Sequence, residues 1–228
     1  PTPGEYDFAY RFSGDSEATY TYCDGEAEGS TDGYQAANAG QMTATGMVTI
    51  PDSLVLAEVY YDHIGADTNY TWAKLFNGTG ADIDLSTYSI GWGGVDYTSG
   101  GVQLSGTIAA GECFVLGGPN GDADSGWAGA PMFDLEVAFD PQNSGGTADG
   151  VALFDVTLTN VAADTVPIDV VIYGGSNDTN ALIDETGMPG EVDVGDAPNG
   201  DSIRREVAGG WTIQVDPTPT VCQFDIDA

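Results

Sequence analysis

Eight short apolar runs recur between residues 54 and 215, at 54–61, 70–76, 83–90, 102–104, 113–116, 151–158, 168–173 and 211–215. Turn-forming pairs punctuate them: Asn77-Gly78, Asn120-Gly121, Asp149-Gly150 and Asn199-Gly200. Such pairs tolerate the positive φ that tight turns demand. No segment holds a 3.6-residue apolar period over three turns. The rhythm predicts an all-β chain built as a β-sandwich. A Gly-, Asp- and Asn-rich stretch at 117–133 reads as a long loop of the kind that carries function or an ion.

Residues 1–50 have a different texture. Tyr6, Phe8, Tyr10 and Phe12 alternate, and Tyr20 and Tyr22 follow. Period-two aromatics predict two short strands joined by a turn at 13–16. An acidic linker runs from Asp24 to Gly40, and a strand is expected over 42–50. The organisation expected is therefore an N-terminal β arm and linker (1–50), a sandwich (51–219) and a short tail (220–228).

Charge narrows the functions open to the chain. Thirty-six acids oppose four bases, a formal net charge of −32. Only Arg11, Lys74, Arg204 and Arg205 are available to meet phosphates, which excludes a nucleic-acid coat. No apolar stretch reaches the length of a membrane-spanning helix. The single histidine, His63, argues against His-based catalysis and multi-histidine metal sites. Asp outnumbers Glu 26 to 10, and Asp is the commoner residue of calcium loops, so Ca²⁺ is the cofactor expected.

The chain begins Pro-Thr-Pro, with neither a methionine nor an apolar leader, which fits a processed secreted protein. Secretion permits a disulfide among Cys23, Cys113 and Cys222. Cys113 lies in an apolar run and suits a buried thiol, whereas Cys23 and Cys222 lie in polar segments, so Cys23–Cys222 is the expected pair.

A set of motifs in order resembles a known family. Leu54-Val-Leu-Ala-Glu58-Val-Tyr-Tyr-Asp62 resembles the opening strand of a lamin tail domain. Tyr70-Thr-Trp72-Ala-Lys-Leu-Phe76-Asn77 resembles its next strand, and Ile83-Asp84-Leu85-Ser86 its Asp-Leu-Ser segment. Thr107-Ile-Ala-Ala-Gly111, Asp149-Gly-Val-Ala-Leu153, Ile168-Asp169-Val-Val-Ile-Tyr173, Ser202-Ile-Arg204-Arg205 with Trp211, and Pro217-Thr-Pro219 continue the order. The resemblance covers residues 54–219. Lys74 departs from it, standing where an acid is usual. It implies an immunoglobulin-like β-sandwich and an extracellular module, and it implies no reaction.

Candidate sites follow from residue types. Asn120, Asp122 and Asp124 alternate in the manner of the first half of a calcium loop. Asp62, Asp67 and Asn69 form a second oxygen-rich cluster around His63. Asp178, Asn180 and Asp184 form a third, and Asp193 with Asp196 a fourth. Glu58 interrupts an apolar strand. It either faces outward or pairs with Arg204, Arg205 or Lys74, because a buried unpaired carboxylate is costly. Trp92 and Trp127, set among glycines, read as loop residues that either mark an interface, for carbohydrate or protein, or cap the core. Tyr6, Phe8, Tyr10 and Phe12 read as strands able to add to the sheet edge of another copy. No nucleophile–base pair is visible. The expectation is a secreted, non-enzymatic structural subunit that self-assembles into a fibre, tube or surface layer with the help of cations. The alternative is a monomeric module that binds glycan or a cell-envelope protein.

Overall fold

The structure is a computed structural model that describes residues 51–123, 133–178, 181–222 and 224, with three two-residue strands among the first fifty. Backbone contacts divide the chain into two units, Thr2–Ile50 and Pro51–Ala228. In the first unit, β1 (Tyr10–Arg11), β2 (Tyr20–Thr21) and β3 (Ala27–Glu28) form an antiparallel sheet in that order, with Tyr10 opposite Thr21 and Tyr20 opposite Glu28. The strand expected over 42–50 lies outside the described residues, as do Tyr6, Phe8 and Phe12.

The second unit is all-β and sandwich-like. Its strands are β4 (Leu54–Tyr60), β5 (Trp72–Asn77), β6 (Ile83–Asp84), β7 (Ser89–Gly93), β8 (Gly100–Gln103), β9 (Thr107–Ile108), β10 (Cys113–Gly117), β11 (Leu135–Glu136), β12 (Ala148–Phe154), β13 (Asp169–Gly174), β14 (Ser202–Arg205) and β15 (Trp211–Gln214). One sheet has six strands in the order β11-β10-β5-β4-β14-β15. A second has four, β13-β12-β7-β8, and β6 pairs with β9. All pairings are antiparallel except β10 with β11. Among the described residues no helix is long and apolar enough to cross a membrane.

Alternation along each strand builds the core. Leu54, Leu56, Val59, Ala73, Leu75, Phe114, Leu116 and Ile203 of the six-stranded sheet share one buried cluster with Ile90, Trp92, Val102, Val151, Leu153, Val171 and Tyr173 of the four-stranded sheet. The opposite faces are covered as well. Ala152, Phe154, Val170 and Ile172 pack with Tyr97, Leu182 and Ile183 in a second cluster outside the four-stranded sheet. The outer face of the six-stranded sheet lies under the C-terminal segment. Strands covered on both faces lose their polar alternation, so β4 and β12 are buried along their whole length.

Trp92 is the first correction. Its Gly91-Trp92-Gly93-Gly94 surroundings suggest a loop, yet Trp92 lies in β7 and is 6% exposed, edge-on to Phe139 at 5.1 Å. The glycines serve close approach rather than flexibility. A Cβ on Gly100, opposite Trp92, would come within 2.4 Å of the indole, and one on Gly91 within 2.3 Å of the Tyr97 carbonyl. Trp92 is core and presents no interface.

Candidate functional site

The polar chemistry of the sandwich concentrates at a defect in β4. Leu56 faces Leu75, but the next paired residues are Glu58 and Lys74, so Ala57 is an extra residue. A bulge of one residue exchanges the two faces of a strand. Without it Glu58 would share the core face with Leu54 and Leu56. With it Val59 takes the core position and Glu58 turns outward, beside Lys74.

There Glu58 is fully buried and fully bonded. One carboxylate oxygen accepts from Lys74 Nζ at 2.7 Å and from the Thr218 hydroxyl at 2.8 Å. The other accepts from the Ser202 hydroxyl at 2.6 Å and from the Thr218 amide at 2.9 Å. Lys74, also 0% exposed, gives its other two protons to the Thr218 and Val221 carbonyls, each at 2.6 Å. All three ammonium donors are used. Desolvation lowers the pKa of Lys74, and the charge of Glu58 opposes that shift. Of the partners considered for Glu58, Lys74 is the one it meets. The pair fastens the chain from Thr218 onward to the sheet, each of its charges met by hydrogen bonds in a fully buried setting.

Two further bonds hold the same segment. Cys222 is joined to Cys113, with Cα atoms 5.6 Å apart, and Phe224 packs on Phe76 with ring centroids 4.7 Å apart. The disulfide corrects the expected Cys23–Cys222 pair. Cys113 belongs to an apolar run, but its neighbours Phe114 and Leu116 face the core, so by alternation Cys113 faces the outer side where the C-terminal segment lies. Cys23 lies outside the described residues.

A second fastener joins the two sheets. Where the β4–β14 ladder stops at Glu58, the free backbone groups of Leu56 bond across the sandwich. The Leu56 amide donates to Asp169 at 2.6 Å, and Arg205 Nε donates to the Leu56 carbonyl at 2.8 Å. Arg205 closes the triangle on Asp169 at 2.6 Å and lies 4.8 Å over the Trp211 ring. Burial pushes the Asp169 carboxyl up to about 6, against the lowering effects of Arg205 and the Leu56 amide.

The acidic loops are the third feature. Asp62 is 5% exposed. Burial raises its pKa, Asn143 opposes this by a hydrogen bond, and the charges of Asp67 and Asp196 add to the rise. Asp67 accepts from the His63 amide at 2.9 Å, and His63 stacks on Tyr70 at 4.2 Å. Asp196 accepts from the Tyr61 hydroxyl at 3.0 Å. Asn69 adopts a positive φ of 69°, and its carbonyl accepts from the amides of Asn120 and Gly121, both at 2.9 Å. The loop of Asp62, Asp67 and Asn69 therefore lies against the helical turn Pro119–Ala123, which carries Asn120 and Asp122. Asp124 and Trp127 lie outside the described residues, and of Asp122 only the backbone is described. Among the described residues no group of three or more His, Cys, Asp or Glu side chains is arranged to hold a metal. Asp178 bonds Ser176 at 2.8 Å, Asp184 caps Thr186, and Asp193 accepts from the Ile172 amide at 2.8 Å. Asn180 lies outside the described residues.

The sequence names Lys74 among three possible partners of Glu58; the hydroxyls of Ser202 and Thr218 that complete the hub carry no signal of their own in the sequence. The signal that points to the pair is chemical: a lone acid and the only lysine stand in adjacent apolar strands, so each is the other's nearest answer to burial. No protein-family model matches the chain, and no curated protein matches it.

Proposed function

We propose that the chain is a secreted, non-enzymatic structural subunit, an immunoglobulin-like sandwich of lamin-tail type that assembles with copies of itself. The observation that carries this reading is the use made of the buried ionic chemistry. Glu58–Lys74 and Asp169–Arg205 tie strands and segments together, and a disulfide pins the segment that covers the outer sheet. Such cross-ties suit a unit that must keep its shape under load. A disulfide persists in an oxidising, extracellular setting. At −32 per chain, copies repel one another, so assembly calls for bridging cations such as Ca²⁺ or for high salt. Asp62, Asp67, Asn69 and Asn120 lie on loops that meet through the Asn69 carbonyl and are of the residue types such a cation prefers, though among the described residues no three acidic side chains are grouped to hold one.

The test is sedimentation with negative-stain imaging in millimolar Ca²⁺ and again in excess chelator. Ordered fibres or sheets that dissolve on chelation support a cation-bridged subunit. Fibres indifferent to chelation keep assembly and remove the cation from it. A monomer in every condition overturns the reading. That outcome favours a binding module, for which an open groove of about 510 Å³ beside Asn177, Asp178 and Glu191 offers polar groups to a glycan.

A further inference from the structure

The outer face of the six-stranded sheet carries two short rows of side chains. Pairing sets Phe76 of β5 opposite Cys113 of β10, and sets Lys74 of β5 between Glu58 of β4 and Val115 of β10. After β15 the chain returns across both rows. Thr218 gives its amide to Glu58 at 2.9 Å and its hydroxyl at 2.8 Å, and the Thr218 and Val221 carbonyls each take a proton from Lys74 at 2.6 Å. In the neighbouring row Cys222 is bonded to Cys113, and Phe224 packs on Phe76. Glu58, Lys74, Phe76 and Phe224 are all fully buried in this arrangement.

This cover is separable from the sandwich beneath it. Among the described residues, neither buried cluster draws on any residue after Trp211, so the core is complete without the cover. The segment 217–222 forms no strand, and its ties to the sheet are side-chain bonds, one ring contact and one disulfide. What it covers is charged. Lifting it returns Glu58 and Lys74 to water, and the hydration they regain offsets the hydrogen bonds they lose. Asp216 starts the segment at a φ of 61°, in the left-handed region, directly before Pro217, where extended backbone is preferred. Swinging the segment out relieves that strain. One covalent tie therefore decides between the closed and the open arrangement. It is reachable, because Cys113 and Cys222 are each half-buried and not sealed.

We infer that the segment 217–222 is a redox-gated lid. With Cys113–Cys222 intact it seals the Glu58–Lys74 hub. On reduction it swings about Asp216 and uncovers the hub while the sandwich stays folded, a local opening of the least stable layer. An external dithiol supplies the two electrons. One of its thiolates attacks a sulfur of the bridge and expels the other as a thiolate, which takes up a proton. Its second thiolate then displaces the remaining cysteine, leaving two cysteine thiols and an oxidised, cyclic disulfide of the reagent. The lid is thus shut in an oxidising setting and free in a reducing one. This inference goes beyond the structural-subunit reading and does not depend on self-assembly.

The experiment is trimming of the full chain by a carboxypeptidase, with and without a dithiol, read by intact mass. Hydrogen exchange in β12, followed in the same solutions, reports whether the sandwich stays folded. A segment that stays down resists trimming even when reduced, because Phe224 is packed on Phe76 and the Val221 carbonyl is bonded to Lys74. The expected result is that the reduced chain loses Val221 roughly tenfold faster than the oxidised chain or more, while exchange in β12 stays slow. Cys222→Ser is expected to be trimmed with or without the dithiol. Cys23→Ser, which keeps the Cys113–Cys222 bridge, is expected to respond as wild type does. A reduced chain that keeps Val221 overturns the lid. So does trimming that begins only as exchange in β12 becomes fast, since reduction then unfolds the whole domain, and so does a Cys23→Ser variant that no longer responds. None of these outcomes bears on assembly, so the lid and the structural-subunit reading stand or fall separately.

Discussion

Removing the ammonium of Lys74 leaves the Glu58 carboxylate buried among three neutral donors with no counter-charge. Breaking one partner of a buried pair costs about 3–5 kcal/mol, whereas replacing both with apolar residues costs far less. Lys74→Met is therefore expected to lose about 3–5 kcal/mol in denaturant melts, and Glu58→Leu combined with Lys74→Met to recover most of it. A loss below about 1 kcal/mol in the single variant would sink the fastening role. Asp169 gives a pH signature. Its folded pKa, about 6, stands above the ordinary carboxylate value, so between those two points the folded chain holds a proton that the unfolded chain releases. Stability contributed by this group is present at low pH and declines as pH rises to about 6. The stability difference between wild type and Asp169→Asn, followed by urea melts from pH 4 to pH 6, is expected to shrink with rising pH; a constant difference refutes the assignment. At this scale the sequence is only half readable. That Glu58 needs a cation follows from burial cost. That Lys74 is the cation depends on one inserted residue, Ala57, which no hydrophobic pattern announces.

At the scale of elements, the C-terminal segment behaves as an added layer, held by Thr218 on Glu58, Cys222 on Cys113 and Phe224 on Phe76. The disulfide spans 109 residues of chain, and loss of a loop closure of this size costs about 2–5 kcal/mol. Cys222→Ser, or reduction of the wild type, is expected to destabilise the fold by that amount and to speed hydrogen exchange at Thr218 and Val221 ahead of the core strands. Equal melting curves with and without reductant would contradict it. The strands themselves are legible in the sequence: the run at 54–61 contains β4, 70–76 contains most of β5, and 151–158 overlaps β12. The covering layer is not, because a polar, proline-rich stretch such as 216–220 shows no apolar period to betray its burial. Trp92 misleads for a related reason, since glycines that admit a neighbour and glycines that form a loop are spelled alike.

For the whole molecule, charge is the dominant long-range term. Repulsion among thirty-two uncompensated negative charges opposes the compact state and is screened within about 10 Å at 0.1 M salt. It also appears locally: Asp67 raises both Asp62 and Asp140, behind the larger effect of burial in each. The melting temperature is expected to rise with NaCl between 10 mM and 1 M, by roughly 2–8 °C for a stabilisation of about 1–2 kcal/mol in a chain of this size. A flat or falling curve in scanning calorimetry would mean that the acids are too well spaced to matter.

Lys74 is the only lysine, and the sheet and the C-terminal segment enclose it completely. The folded surface therefore presents no side-chain amine. Acylating reagents, reducing sugars and aldehyde crosslinkers have no lysine to take, and a protease that reads lysine finds its one site sealed inside a sheet. In the laboratory this is a gauge: any lysine label that appears on the chain reports that the C-terminal layer has lifted.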